Sequence, residues 1–204
     1  MNQPTQAVVW DIGRVLVRWS LRALYEQLIA DSAELDWFLA NVITESWHFQ
    51  HDEGRPLADM IAERAAQFPR YRSQIEAYAP RWLETLPGAV AGTPELVARL
   101  AARGVPQYCI TNFGADTFAM FRPTFPALDH FRDIVVSGIE KLAKPDPAIF
   151  ALAERRFGHG AGAMLFVDDN PANIATAREL GWQVHHFTDD ATALEADFAG
   201  RGLL

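Results

Sequence analysis

Carboxylate side chains follow two of the short apolar runs of this chain. Asp11 comes directly after the run at residues 7–10, and Asp168 and Asp169 come after the run at residues 163–167. Such runs are typical of buried strands, and ligands bind outside the carboxyl ends of the strands of an open α/β sheet. Carboxylate oxygens at that edge suit Mg²⁺, which usually binds one or two protein carboxylates together with a substrate phosphate.

Hydrogen-bond donors occupy corresponding positions in two other segments. Thr111 and Asn112 end the apolar run at residues 105–110, and Lys144 lies in a Pro-flanked loop after the run at residues 133–137. Each of these groups also has an ordinary structural interpretation. Thr111 and Asn112 could simply start a loop, and Lys144 could be a solvated loop lysine. The paired aspartates are likewise typical of a helix N-terminus. Hydroxyl, amide and ammonium groups also suit phosphate oxygens. Four segments with compatible groups at one sheet edge predict a Mg²⁺–phosphate site.

Residues 87–204 alternate between strand and helix patterns. Thr93-Pro94, Asp146-Pro147 and Asn170-Pro171 each place a polar N-cap before a proline at the first helical position. Strand patterns stand between these helices, and a further strand and helix follow them. The alternation predicts an α/β fold with a Rossmann-like parallel sheet and helices on both faces.

Residues 20–86 carry apolar side chains at helical spacing and no strand pattern. We therefore expect three or four helices inserted after the first strand. The predicted division is a core at residues 1–16 and 87–204, with a helical insert at residues 17–86. Within the insert, residues 47–54 mix aromatic and polar groups. Two interpretations stay open: a substrate-specificity loop, or core aromatic residues beside solvated histidines.

The composition excludes several classes of protein. The chain has 204 residues, half of them apolar, and a formal net charge of −8. This describes one folded domain that does not bind nucleic acid. No apolar run approaches the ~18 residues of a membrane span. The N-terminus lacks a basic and apolar leader, and Cys109 is the single cysteine, so we expect a cytoplasmic protein. The oligomeric state is open.

In its four site segments the chain resembles the haloacid dehalogenase superfamily. The four motifs are Val-Trp-Asp-Ile-Gly-Arg-Val-Leu at residues 9–16, Ile-Thr-Asn at 110–112, Lys144 in Lys-Pro-Asp-Pro, and Phe-Val-Asp-Asp-Asn-Pro-Ala-Asn at 166–173. They occur in the family's order with similar spacing. The resemblance implies that the helical insert is a small cap closing over the substrate.

The resemblance also implies roles for the site residues. Asp11 would attack phosphorus and form an aspartyl-phosphate, and Lys144 would keep Asp11 ionised beside an anionic substrate. Mg²⁺ would be held by Asp11, the backbone carbonyl of Gly13 and Asp168, and Asp169 would complete the metal site by orienting a metal-bound water. The phosphoryl oxygens would be bound by Thr111, Asn112 and Lys144. Arg14, just after the nucleophile, either attracts the anionic substrate or is an exposed residue of a turn.

Gly13 departs from the pattern of most phosphatases of this superfamily. They carry a second aspartate there as general acid and base, a group that typically contributes ~10²–10⁴-fold to the rate. A leaving group that needs little protonation, such as an anomeric sugar oxygen, would explain the loss, as would another residue or a water acting as the acid. The first motif of this chain, with Asp-x-Gly at residues 11–13, resembles that of a bacterial subgroup that includes sugar-phosphate phosphatases.

The sequence is compatible with three functions. The leading prediction is a Mg²⁺-dependent phosphatase of a small phosphorylated metabolite, with a sugar phosphate as one example. The second is a 2-haloacid dehalogenase, which uses the same aspartate without a metal. Adjacent Asp168 and Asp169 disfavour it, because clustered carboxylates repel one another without a cation. The third is a catalytically weak binding or regulatory protein, which Gly13 alone supports.

Overall fold

The computed structural model describes residues 3–204, which form seven strands and eleven α-helices. The strands are β1 (Ala7–Trp10), β2 (Val17–Arg18), β3 (Gly88–Ala89), β4 (Gln107–Thr111), β5 (Asp133–Val136), β6 (Met164–Asp168) and β7 (Gln183–His186). The α-helices are α1 (Leu21–Tyr25), α2 (Ser32–Asn41), α3 (Glu45–Asp52), α4 (Leu57–Gln67), α5 (Arg72–Glu76), α6 (Thr93–Ala102), α7 (Ala115–Phe121), α8 (Ser137–Glu140), α9 (Pro147–Phe157), α10 (Pro171–Glu179) and α11 (Ala191–Gly200).

Five parallel strands form the central sheet in the order β5-β4-β1-β6-β7. The middle strand β1 pairs with both neighbours, so that Val9 lies beside Tyr108 on one side and Phe166 on the other. All residues of β1, β4 and β6 are buried. Near-continuous apolar strands of this kind are typical of parallel sheets that are covered on both faces. The predicted α/β fold with a Rossmann-like sheet is confirmed.

The two faces of the sheet are covered by different helices. Trp10 packs edge-on against Phe198 of α11 on one face, with ring centroids 5.5 Å apart. On the other face, Phe150 of α9 packs edge-on against Phe166 of β6, at 5.4 Å. Alternate residues of β1 thus belong to two apolar cores, one on each face of the sheet.

Helices α1 to α5 fill the segment between β2 and β3, with short 3₁₀ helices at Pro69–Tyr71 and Trp82–Thr85. The apolar stripes predicted three or four helices here, and the structure has five α-helices. Side-chain N-caps divide the segment, because Asp31 accepts a hydrogen bond from the Glu34 backbone and Thr44 accepts one from the Trp47 backbone. Aromatic rings fill its core, with Tyr25 packing on Phe38 at 4.7 Å.

A two-stranded antiparallel ribbon joins the helical segment to the sheet. Strands β2 and β3 pair through Val17 with Ala89 and Arg18 with Gly88. This ribbon was not predicted, since strands of two residues are too short to show an alternating pattern. No helix within residues 3–204 combines the length and the apolar character needed to cross a membrane.

Candidate active site

The carboxyl ends of β1 and β6 bring three carboxylates together. Oxygens of Asp11, Asp168 and Asp169 all lie within 4.8 Å of one another. Asp11 and Asp168 are buried, and Asp169 is partly exposed. The two strands are hydrogen-bonded neighbours, so the cluster follows from the parallel pairing. The sequence prediction placed these side chains at one sheet edge, and the structure brings them together.

Lys144 lies between two of these carboxylates and is almost completely buried. Its Nζ is 2.8 Å from Asp11 Oδ1 and 2.7 Å from Asp168 Oδ2. The Asn112 side chain fixes the lysine backbone, because Oδ1 accepts from the Lys144 N–H and Nδ2 donates to the Lys144 carbonyl, each at 2.8 Å. Asn112 therefore orients the lysine loop, and it also lines the cavity beside Asp11.

The first turn of α10 holds Asp168 in place. The backbone N–H of Asn170 donates to Asp168 Oδ1 at 2.8 Å, and Asn173 Nδ2 lies 3.1 Å from both carboxylate oxygens. Donors at a helix N-terminus stabilise a negative charge. Asp168 is thus a fully paired carboxylate whose orientation is set by its neighbours.

Two carboxyl groups of the aspartate cluster have raised pKa values. Burial is the largest cause at Asp11 and raises its pKa to about 7; Lys144 opposes the shift, whereas Asp168 and Asp169 add to it. Burial and the Asp168 charge raise the pKa of Asp169, against Arg14 and Lys144. For Lys144, burial disfavours the charged form, but the adjacent carboxylates outweigh it and hold the pKa above its usual value.

The carboxylate cluster fits a divalent cation. One lysine faces three carboxylates, so repulsion between the acids is only partly offset. All three offer hard oxygen ligands, which Mg²⁺ prefers over nitrogen or sulfur. The backbone of Gly13 lines the same cavity beside Asp11. The donor set and its partly compensated charge therefore suit a divalent cation such as Mg²⁺.

Three other predicted residues have distinct surroundings. Thr111 is buried at the end of β4, its hydroxyl has no hydrogen-bond partner among residues 3–204, and it does not line the cavity. Arg14 lines the cavity, with its guanidinium 5.0 Å from the centre of the Trp19 ring and an ion pair to Glu45 at 2.5 Å. At Gly13 an added Cβ would meet no atom within 4 Å.

The helical segment supplies the remaining wall of the cavity. His48 and Asp52 on successive turns of α3 line it, together with Trp19 and Trp82. Of the two interpretations of residues 47–54, the core aromatic residues are confirmed but the solvated histidines are wrong, since His48 and His51 are buried; a role in specificity stays a prediction. Trp47 packs in the core against Tyr78 at 5.4 Å, whereas His48 is buried and faces the cavity instead of solvent. The spacing of His48 and Asp52 at i and i+4 was the available signal that both lie on one helix face.

Comparison with known proteins identifies relatives along nearly the whole chain. The model of the haloacid dehalogenase-like hydrolase family matches residues 5–181. A sesquiterpene phosphatase of Aspergillus oryzae, astK, is 26% identical over 192 residues, which cover 93% of this chain and 94% of that protein.

Solved structures of the same fold are also similar. The enzyme bt-2542 of Bacteroides thetaiotaomicron, in complex with magnesium and inorganic phosphate, is 21% identical, with a TM-score of 0.68 over 93% of this chain and 98% of that one. A dehalogenase structure is 19% identical, with a TM-score of 0.66 over 88% and 83% of the two chains. At these identities the likeness concerns the fold alone and does not separate phosphoryl from halide chemistry.

Proposed function

Since the chain belongs to the haloacid dehalogenase-like hydrolase family, we propose that it is a Mg²⁺-dependent phosphatase of small phosphate monoesters. The observation that carries the proposal is the cluster of three carboxylates around the buried Lys144. In a metal-free dehalogenase, two adjacent aspartates facing the nucleophile would be unfavourable, because their negative charges would oppose ionisation of the nucleophilic carboxyl group. The similarity to a phosphatase over almost the full chain supports the same choice.

Asp11 is the nucleophile in this proposal. Its carboxylate attacks phosphorus, the bond to the leaving oxygen breaks, and an aspartyl-phosphate forms; water then attacks phosphorus and releases phosphate. Lys144, whose Nζ is 2.8 Å from Asp11 Oδ1, keeps the nucleophile ionised and binds a phosphoryl oxygen. Asn112, which lines the same cavity, donates a further hydrogen bond to those oxygens, whereas Thr111 lies outside the cavity lining. Arg14 at the cavity wall attracts the anionic substrate.

The metal would be held by Asp11, the backbone carbonyl of Gly13 and Asp168, with Asp169 beside them. When bound, Mg²⁺ supplies positive charge that offsets the repulsion between the phosphate and the Asp11 carboxylate. Asp168 is fixed by Asn170 and Asn173, so it enters the metal site already oriented. Partly exposed Asp169 orders water at the metal.

Residues 17–86 form the cap in this proposal, over a core of residues 1–16 and 87–204. The support is that Trp19 and the α3 residues His48 and Asp52 line the same cavity as the residues at the strand ends. A lid this close to Asp11 leaves room for a small molecule and excludes a folded protein as substrate.

The walls of the cavity favour a leaving group with apolar surface. Besides the site residues, the cavity is lined mainly by apolar side chains, which are Val17, Trp19, Trp82, Leu86 and Phe113. The related fungal protein is a sesquiterpene phosphatase, and an isoprenyl monophosphate matches such a lining. A sugar phosphate is the other prediction, since the faces of sugars also pack on aromatic rings.

A substrate panel separates these two classes. Short isoprenyl monophosphates and sugar 1-phosphates are compared by kcat/KM, with a Trp82→Ala variant alongside. A preference for isoprenyl phosphates that Trp82→Ala reduces supports the apolar leaving group. A preference for sugar phosphates that the variant leaves unchanged contradicts it.

Hydrolysis of p-nitrophenyl phosphate with Mg²⁺ and with a chelator tests the proposed activity. We expect turnover that requires Mg²⁺ and no halide release from a 2-haloacid. An Asp36→Asn variant, which changes an exposed carboxylate on α2, serves as the control and should behave as the wild type. Metal-independent halide release would instead establish a dehalogenase, and absence of both reactions would favour a binding protein.

A further inference from the structure

The loop after β1 carries no side chain that can donate a proton to the leaving group. Gly13 stands where the resembling phosphatases have their second aspartate. A Cβ added at Gly13 would meet no atom within 4 Å, so this side of the cavity has free space beside the nucleophile. An alcohol leaving group nevertheless needs a proton as the bond to phosphorus breaks. Besides water, the donor available to the leaving group is therefore a side chain from another part of the cavity wall.

Asp52, at the C-terminal end of α3, is a carboxyl group in the same cavity as Asp11. It is 7% exposed, and its Oδ1 has no hydrogen-bond partner among the described residues. Leaving a buried polar atom unpaired costs about 1–3 kcal/mol. A hydrogen bond to a bound substrate would remove that cost. Asp52 is thus a buried carboxyl group that lines the reaction cavity and has one oxygen without a hydrogen-bond partner among the described residues.

The end of α3 is tied to the core next to the site. The Ser137 hydroxyl donates to the Asp52 carbonyl at 2.5 Å and accepts from the Phe113 backbone N–H at 2.9 Å. Two residues later in the chain, the Gly54 carbonyl accepts from Lys141 Nζ at 3.0 Å. These contacts fix the position of Asp52 relative to the strand end that carries Asn112 and Phe113.

The surroundings of Asp52 favour its protonated form at neutral pH. Burial is the largest cause and raises its pKa to about 8; a hydrogen bond from the Gly114 backbone opposes the shift. His48 lies 3.5 Å away but is neutral, because burial and His51 lower its pKa to about 3. The titratable groups that face Asp52 are His48, Glu53, Tyr78, Asp11 and Lys144.

We propose that Asp52 is the proton donor and acceptor of the reaction, in the role that Gly13 cannot fill. The inference rests on the proposed phosphatase activity. In the first half-reaction Asp11 attacks phosphorus, and the leaving oxygen takes the Asp52 proton as its bond to phosphorus breaks. In the second, the Asp52 carboxylate takes a proton from water as that water attacks phosphorus. Phosphate leaves, and both carboxyl groups return to their starting state.

Leaving groups of different basicity test this role. An Asp52→Asn variant should lose about 10²–10⁴-fold in kcat/KM for an alkyl phosphate. For p-nitrophenyl phosphate, whose leaving group needs no proton, kcat/KM should fall less than about tenfold. Glu53→Gln, the adjacent exposed acid, is the matched control and should leave both values unchanged. Equal losses of Asp52→Asn on both substrates, or no loss on either, would overturn the proposal.

The second half-reaction and a rescue give independent readouts. With p-nitrophenyl phosphate, Asp52→Asn should release a rapid burst of nitrophenol followed by slow turnover, because water attack lacks its base. Adding Gly13→Asp to Asp52→Asn should restore alkyl phosphate turnover, since a Cβ at Gly13 meets no atom within 4 Å and the carboxyl group starts beside the nucleophile. A double variant that folds, by circular dichroism, and stays as slow as Asp52→Asn contradicts the proposal.

Phosphatase activity of the wild type and of Asp11→Asn distinguishes failure of the Asp52 role from failure of the proposed function. If the wild type hydrolyses both phosphates and Asp11→Asn hydrolyses neither, the phosphatase proposal stands whatever Asp52→Asn does. If the wild type hydrolyses neither, the phosphatase proposal fails and the role of Asp52 fails with it.

Discussion

Lys144 is the cation of the site before any metal binds. Its burial beside Asp11 and Asp168 is stabilising only as long as the charges remain paired. Removing one partner of a buried ion pair typically costs about 3–5 kcal/mol, since an uncompensated charge stays behind. Lys144 therefore contributes to both stability and function. The ammonium group that would bind phosphate also pairs with Asp11 and Asp168 when no ligand is bound.

Replacing Lys144 by methionine should lower the free energy of unfolding by about 3–5 kcal/mol in chelator at neutral pH. The length of the side chain is kept while its charge is lost. Urea unfolding followed by circular dichroism measures the change. Lys141→Met, at the only other lysine of the chain, is the matched control and should cost under about 1 kcal/mol. Equal stability of Lys144→Met and wild type would contradict the buried ion pair.

Asp52 should make the metal-free protein less stable as pH rises. Burial raises its pKa from 3.8 to about 8 in the folded chain, so the folded state binds more protons between these values than the unfolded state does. The contribution of protonated Asp52 to the free energy of unfolding is fully present below pH 4 and is lost as pH rises through 8. Urea midpoints at pH 5.5 and 8.5 should therefore differ less in Asp52→Asn than in wild type. An identical pH dependence in the two proteins would argue against the raised pKa.

At the scale of elements, the contact between α3 and the loop before α7 sets the distance between the helical segment and the sheet. Gly114 lies directly against the His51 ring, and a Cβ at this position would overlap it. The Gly114 backbone is extended, a conformation that alanine also adopts. Glycine is therefore needed here because of the close approach of His51, and not because of the backbone conformation. His51 also pairs with Asp116 at 2.6 Å, which ties the helix to the start of α7.

Gly114→Ala should push α3 away from the core and lower phosphatase kcat/KM by at least about tenfold, because Asp52 moves with its helix. Gly160→Ala is the matched control, since its backbone is also extended and an added Cβ meets no atom within 4 Å. Activity and thermal unfolding are measured for both. If Gly114→Ala folds and is as active as Gly160→Ala, the position of α3 does not matter for the reaction.

The sequence predicts the elements that carry their own local signal. The strand ends at Asp11 and Asp168 follow from short buried runs, and the start of α10 follows from Asn170-Pro171. Parallel pairing then brings those ends to one edge. Asp52 could not be assigned in this way, because its approach to Asp11 depends on how a separate helical segment packs on the core. The partnerless hydroxyl of Thr111 likewise depends on tertiary packing.

For the molecule as a whole, the acidic charge and the proposed ligand are compatible. The chain has a net charge of −8, and three of its acids form one cluster that a divalent cation would offset. A ligand that binds only the folded state adds stability, about 2.7 kcal/mol at a hundredfold excess over its Kd. Metal binding can therefore be observed without any turnover.

Mg²⁺ should raise the thermal midpoint of the wild type and have a much smaller effect on Asp168→Asn. Asp168 is proposed as a ligand, and the amide keeps its size while losing the charge. Differential scanning calorimetry with increasing MgCl₂ measures the shift, and Asp129→Asn, an exposed acid paired with Arg122, is the control. A shift of the same size in Asp168→Asn and wild type would contradict the assigned metal site.

The most direct test of the central claim is to trap the phosphorylated enzyme. The wild type, mixed with p-nitrophenyl phosphate and Mg²⁺, is quenched in acid within one turnover, and its peptides are analysed by mass spectrometry. The account predicts one phosphoryl group on the peptide that contains Asp11, and neither that group nor turnover in Asp11→Asn. Mg²⁺-dependent turnover that persists in Asp11→Asn, or a phosphoryl group on another residue, would contradict it.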